Sequence, residues 1–299
     1  MSVSPSRRDR DPGFAIEPRN RPFEAHCSTV EHEIRPGRTV SFLGEVDLSE
    51  IERLRVQAPP TRRLSYTAFV VKAVAMALRE FPDANRRPYR SGPWPFGGPR
   101  LQAFTRRDVA VAVERDVPGA EGAAFIEILR DADTTPLDEI TDALRTLGKA
   151  DLSTNAQWRE FQETIARYPG WIARRLIRRP LSSPDLWVKA RGGAAVVSSA
   201  AKRGVDAVFG TWSHPIGVSF GEPRQRPVVV NNAVEPRSTF FLALNFDRRV
   251  ISGAQAARFF HRIVEILEKA DAEMKPYLLA EAPTTREDFP TIDEPATKF

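Results

Sequence analysis

The sequence predicts a mixed α/β protein in which helices pack against one sheet. Three observations carry that prediction. The segment 66–81 is apolar almost all round, as a helix buried against a sheet must be. Short apolar runs at 109–113, 124–129, 194–199, 215–220, 228–230 and 239–246 have the length of strands and are interleaved with helical patterns. The segment 254–269 is amphipathic and closes the series. With 299 residues, 41% hydrophobic and 28% charged, the chain is long enough for one large globular domain.

Taken in order, residues 1–22 are rich in Arg, Pro and Ser and read as a flexible tail, with the domain expected over 23–275 and a second flexible tail over 276–299. Residues 39–46 alternate as a strand, and Asp47-Leu48-Ser49-Glu50 opens a helix over 51–56. Ser65 is the expected N-cap of the apolar helix, whose main polar interruption is Lys72. Pro and Gly crowd 87–99, which predicts a loop lining a cleft. Pro118-Gly119 is a turn between two strands. Thr135-Pro136 then starts a helix to about Leu147, with Asp138 and Glu139 at its positive end.

Composition excludes several classes. No run reaches the roughly 18 to 20 apolar residues of a membrane span, and the first residues hold no apolar signal core, so a cytoplasmic protein is expected. The single cysteine, Cys27, forms no internal disulfide, and its spacing with His26 and His32 matches no zinc motif. The net charge of +5 comes from scattered arginine without a nucleic-acid-binding motif, so no nucleic-acid partner is expected.

The most informative stretch is Phe246-Asp247-Arg248-Arg249-Val250-Ile251-Ser252-Gly253-Ala254. It resembles the F-D-H-R-V-I-D-G-A signature of the dihydrolipoyl acyltransferases of 2-oxoacid dehydrogenase complexes, with Arg248 where the histidine stands and Ser252 in place of Asp. Further anchors keep the family's order: Ser65-Tyr66-Thr67-Ala68-Phe69 with Phe81-Pro82, the strand 109–113 with Ile128-Leu129-Arg130-Asp131-Ala132-Asp133, and Pro227-Val228-Val229-Val230. The resemblance spans roughly 39–269. It implies a chloramphenicol acetyltransferase-like two-layer sandwich, a mixed sheet with packed helices, assembled as a homotrimer.

The resemblance also implies a chemistry: an acyl group passes between CoA and a thiol in a site between subunits. The histidine deprotonates the thiol, and a serine of the neighbouring subunit hydrogen-bonds the oxyanion. That serine maps onto Ser198, in Ala194-Ala195-Val196-Val197-Ser198-Ser199, where Ser199 replaces the family's asparagine. Ser199 and Arg249 are the candidate contacts to CoA or acyl-CoA. Arginine cannot replace the base, because a guanidinium with a pKa of about 12.5 or more offers no lone pair near neutral pH. Among the four histidines, His214 is the candidate substitute base and His261 a surface residue of the last helix.

Two readings follow. The chain is an acyl-CoA-dependent acyltransferase with weak or unorthodox activity, or a catalytically inactive assembly or CoA-binding subunit, by itself or mixed with a catalytic homologue. The family's protein X component, which lacks the histidine and serves as a structural subunit, sets a precedent for the second. Arg248 either binds a carboxylate or phosphate or is a relic of lost catalysis, and Arg249 keeps a structural ion pair in the second case. No lipoyl domain is expected before the domain, which points to free CoA thioesters. An inserted basic segment, 155–185, is expected as two short helices broken at Pro169-Gly170; capping the trimer or channel is preferred for it over membrane contact through 158–179.

Overall fold

The computed structural model describes residues 38–57, 63–91, 98–117, 120–149 and 156–278. The sequence readings for 1–37, for the turn at Pro118-Gly119 and for 279–299 lie outside the described residues, His26, Cys27 and His32 among them.

One mixed sheet runs in the order β1-β9-β7-β6-β4-β5, with β8 paired to the first half of β9. Its strands are β1 (Thr39–Asp47), β4 (Val109–Val117), β5 (Ala120–Leu129), β6 (Ala195–Ser199), β7 (Ile216–Phe220), β8 (Arg224–Val230) and β9 (Ala233–Asp247). β4, β6 and β7 are parallel, while β9 is antiparallel to β1, β7 and β8. The helices are α1 (Ser49–Gln57), α2 (Tyr66–Glu80), α3 (Leu137–Lys149), α4 (Ala156–Arg167), α5 (Gly170–Ser182), α6 (Pro184–Arg191), α7 (Gly253–Glu268) and α8 (Ala270–Met274).

Alternation sorts the strand residues. Phe240, Leu242, Leu244 and Phe246 of β9, with Ile216, Val218 and Phe220 of β7, enter one core with the buried stretch Ala68–Leu78 of α2 and with Phe259, Ile263 and Ile266 of α7. Each large side chain buried there contributes roughly 1.5–3 kcal/mol. α2 starts at Ser65, whose hydroxyl accepts from Ala68 N as an N-cap should.

Two sequence readings are corrected. The loop expected over 87–99 is in its described part a hairpin, β2 (Arg86–Ser91) against β3 (Gly98–Ala103). Its arms are polar, so no alternation betrays them. β9 begins at Ala233, six residues before the expected strand. Asn231 and Asn232 both have positive φ, 49° and 63°, which makes the two-residue turn of a tight hairpin. That hairpin leaves Val229 and Val234, paired across the ladder, each 70% exposed.

Lys72 is fully buried in α2. Its ammonium donates to Asp133 O at 2.7 Å and Thr135 O at 2.8 Å and lies 3.8 Å from the centre of the Tyr277 ring. The lysine thus ties α2 to the loop after β5 and to the last described turn. Burial pulls its pKa down to about 8, against a partial counter-effect of Asp133. Between that value and the unfolded value near 10.5, the unfolded chain holds a proton that the native chain has released, so stability rises with pH. Urea unfolding of the native protein and of Lys72→Met is expected to diverge over that window, with the native protein alone gaining stability from Lys72. A constant difference across it would contradict the assignment.

Candidate active site

The signature corner begins where β9 ends. Asp247 accepts Arg249 N at 2.9 Å and Arg249 Nε at 3.0 Å on both carboxylate oxygens, and Arg249 Nη2 closes at 2.5 Å. This grip forces the chain to turn over 248–250, after which Val250 and Ile251 dip into the core. Ser252 then caps α7 through a reciprocal capping box with Gln255. Serine therefore does at 252 the helix-starting work of a short polar residue.

Arg248 sits at the tip of the turn, exposed. Its backbone N–H donates to Arg38 O at 3.0 Å, and its guanidinium has no hydrogen bond or ion pair among the described residues. The Arg249 fork, read from the sequence as a contact to CoA, is occupied by Asp247, which is the structural ion pair of the alternative reading.

Ser198 lies near the end of β6, in register with Ser219 of β7, half-buried and with its hydroxyl unbonded among the described residues. A free hydroxyl on a fixed strand is what an oxyanion donor requires. Ser199 is different. Its hydroxyl donates to Phe220 O at 3.3 Å and accepts from Ala201 N at 3.2 Å, so it is spent on the turn that follows the strand.

Ser198 faces away from the helices, on a side of the sheet with a polar ledge that the sequence reading missed. Ser219 Oγ donates to Val208 O at 2.6 Å. The Asn245 amide, oriented to satisfy both ends, donates to Ser41 Oγ at 2.6 Å and accepts from Trp212 Nε1 at 3.2 Å. Trp212 lies over Gly217 so closely that a Cβ there would stand 1.9 Å from its Cδ1. Serine at 219 and asparagine at 245, polar at alternate positions of apolar strands, were the available signal.

Ser198 and Arg248 do not meet within one chain. Ser198 is level with Ser219 and Ala243, whereas Arg248 lies just past the end of β9: Asp247 is already about 14 Å further along the strand at roughly 3.4 Å per residue, and β6 is two strands across the sheet from β9. His214 is also at the Arg248 end, where Asp247 N donates to Pro215 O at 2.8 Å. It is buried, with Nε2 2.9 Å from Arg191 O, Nδ1 3.0 Å from Ser213 Oγ, and the Trp187 ring edge-on at 5.2 Å. A carbonyl can only accept, so Nε2 carries the proton and Nδ1 accepts from the hydroxyl. Both nitrogens are used, and the substitute-base reading is corrected: His214 is a core residue. His261 is exposed on α7, as expected.

The segment 155–185 contains α4 and α5, separated at Pro169-Gly170 where the break was expected, and α6 begins at its end, at Pro184. Arg87 is buried beneath it. Its Nε donates to Gln102 Oε1 at 2.7 Å and its Nη1 to Leu181 O at 3.1 Å, and its guanidinium lies 4.3 Å from the Trp187 ring centre. Trp187 Nε1 donates to Gly193 O at 3.0 Å. The neighbouring Arg86 Nη2 reaches Val250 O at 3.5 Å, so the insertion is braced to the signature end of the sheet. α5 keeps Ala173 against the protein and leaves Trp171, Arg174, Arg175 and Arg179 outward. Among the described residues no helix is long and apolar enough to cross a membrane.

A mixed sheet with its helical layer and a signature turn leading into a capped helix is the core on which these residues sit. The chain belongs to the 2-oxoacid dehydrogenase acyltransferase (catalytic domain) family, whose model matches residues 37–165 and 190–274. The match leaves out residues 166–189, which hold all of α5 and most of α6. The chain is 23% identical over 231 residues to the dihydrolipoyllysine-residue acetyltransferase component of the pyruvate dehydrogenase complex of Mycoplasma capricolum subsp. capricolum, covering 75% of this chain and 43% of that protein. It is 24% identical over 247 residues to the succinyltransferase component of the 2-oxoglutarate dehydrogenase complex of Rickettsia felis, covering 78% and 49%. The chain thus spans half or less of these relatives' length. Dihydrolipoamide acetyltransferase of Azotobacter vinelandii, a structure studied for the catalytic roles of a serine, a histidine and an asparagine, superposes with a TM-score of 0.63 at 18% identity, covering 91% of this chain and 99% of that one.

Burial lowers the His214 pKa to about 3, with the charges of Arg191 and Arg87 adding to the effect and the Arg191 carbonyl opposing it. Between that value and the unfolded value near 6.5 the unfolded chain binds a proton that the native chain does not, so stability falls as pH is lowered through this window. An NMR titration is expected to show the His214 ring neutral from pH 8 to 4. A transition near pH 6.5 would return His214 to the list of bases.

Proposed function

We propose that this protein is an acyl-thioester-handling member of its family that has lost base-assisted thiol activation. The observation that carries the reading is Arg248, exposed at the tip of the signature turn where the family's histidine is expected, with His214 sealed in the core. The protein retains an oxyanion donor, the unbonded hydroxyl of Ser198. It lies more than about 14 Å from the signature turn of its own chain, which supports a site completed between two copies, in a homotrimer. Acyl-CoA is the ligand, and the cytoplasm is the compartment suggested by the single cysteine.

Transfer by this route is slow. Positioning of the thioester and the oxyanion donor remain, whereas a general base typically adds about 10²- to 10⁴-fold. A second reading, an assembly subunit that keeps the trimer or joins a catalytic homologue without reacting, is favoured by one feature: the β8–β9 hairpin leaves Val229 and Val234 uncovered in the single chain.

Free CoA released from a panel of acyl-CoAs, with dihydrolipoamide as acceptor, separates the readings. Native protein is expected to turn over at most slowly, Ser198→Ala to abolish that rate, and Arg248→His to raise it by about 10²-fold or more. Fast native turnover that survives Ser198→Ala would sink the proposal. A native protein that is silent while Arg248→His is active would select the assembly reading. Sedimentation is expected to give a trimer for the native chain and a smaller species for Val229→Asp/Val234→Asp.

A further inference from the structure

The arginines at the signature end differ in what they hold. Arg249 is gripped by Asp247, and Arg86 pairs with Asp83 at 3.1 Å. Arg248 and Arg38 have no such partner among the described residues, and both are exposed. They are also neighbours. Thr39 pairs with Asp247 in the β1–β9 ladder, and the next step brings Arg38 opposite Arg248, joined by the backbone hydrogen bond from Arg248 N to Arg38 O.

Like charges directly opposite one another across an antiparallel pair destabilise it. The adjacent acid, Asp247, is already committed to Arg249, so no ion pair among the described residues relieves this pair. A ligand oxyanion would. A carboxylate or phosphate accepts two parallel N–H bonds from a guanidinium fork, and a second guanidinium beside it completes the neutralisation.

We propose that Arg248 and Arg38 form an anion receptor that selects acyl thioesters carrying an oxyanion: a carboxylate at the end of the acyl group, or a phosphate of the carrier. The inference rests on the thioester-binding reading above and adds a substrate class to it. The arginine at the signature position is then a recognition residue that took over the place of the base.

Binding by calorimetry at low ionic strength tests this with two matched pairs: succinyl-pantetheine against butyryl-pantetheine for the carboxylate, and coenzyme A against pantetheine for the phosphate. In at least one pair the anionic member is expected to bind about tenfold tighter or more. Arg248→Gln should erase that difference, Arg38→Gln should reduce it, and Arg248→Lys, which keeps the charge and loses the fork, should retain only part. The pair that responds identifies the source of the oxyanion. Butyryl-pantetheine binding with no anionic preference, or a preference that survives Arg248→Gln, overturns the receptor and leaves the thioester reading standing. Failure of every probe to bind overturns both.

Discussion

The bidentate grip of Asp247 on Arg249 is the constraint from which the signature corner takes its shape. It ends β9, turns the chain and sets the angle at which Val250 and Ile251 enter the core, and so it fixes where α7 starts. It also divides two adjacent arginines by function. One is consumed as a structural partner, and the other is left at the tip without a counter-ion among the described residues. A carboxylate in this place thus holds the fold together and, by choosing its partner, decides which cation faces outward.

The core on one side of the sheet and the ledge on the other are governed by different forces. Apolar burial dominates between the sheet and α2 and α7, where the one charge, Lys72, is tolerated because two carbonyls and a ring face its ammonium. Across the sheet, hydroxyls, an amide and an indole N–H satisfy one another in fixed directions. Ser198 belongs to that second face. Its hydroxyl differs from those of Ser41, Ser199 and Ser219 in having no hydrogen bond among the described residues.

Much of the fold was legible in the sequence because it is written in local periodicity. The segment 66–81 could only be a buried helix, and Ser65 and Ser252 mark caps that the structure contains. The β2–β3 hairpin was not legible, since arginine-rich arms carry no apolar alternation, and the turn at Asn231-Asn232 is marked only by two residues that tolerate positive φ. The family's motifs named Ser198 and Arg248 but not the distance between them, which depends on strand order and register. His214 looked available because a linear sequence does not show that Trp187, Arg191 and Ser213 converge on it. Arg38 escaped notice for the same reason, as a residue two hundred positions away supplies its meaning.

That long reach has a consequence for how the molecule is made. Among the described residues β1 pairs with β9 alone, with Thr39 against Asp247, so the first described strand must wait on a growing chain until the last one has been synthesised. Domains with such non-local pairing fold slowly and expose unpaired edges meanwhile. The corner bearing Arg38 and Arg248 is thus among the last parts to close, and a truncated or stalled product has no such corner at all.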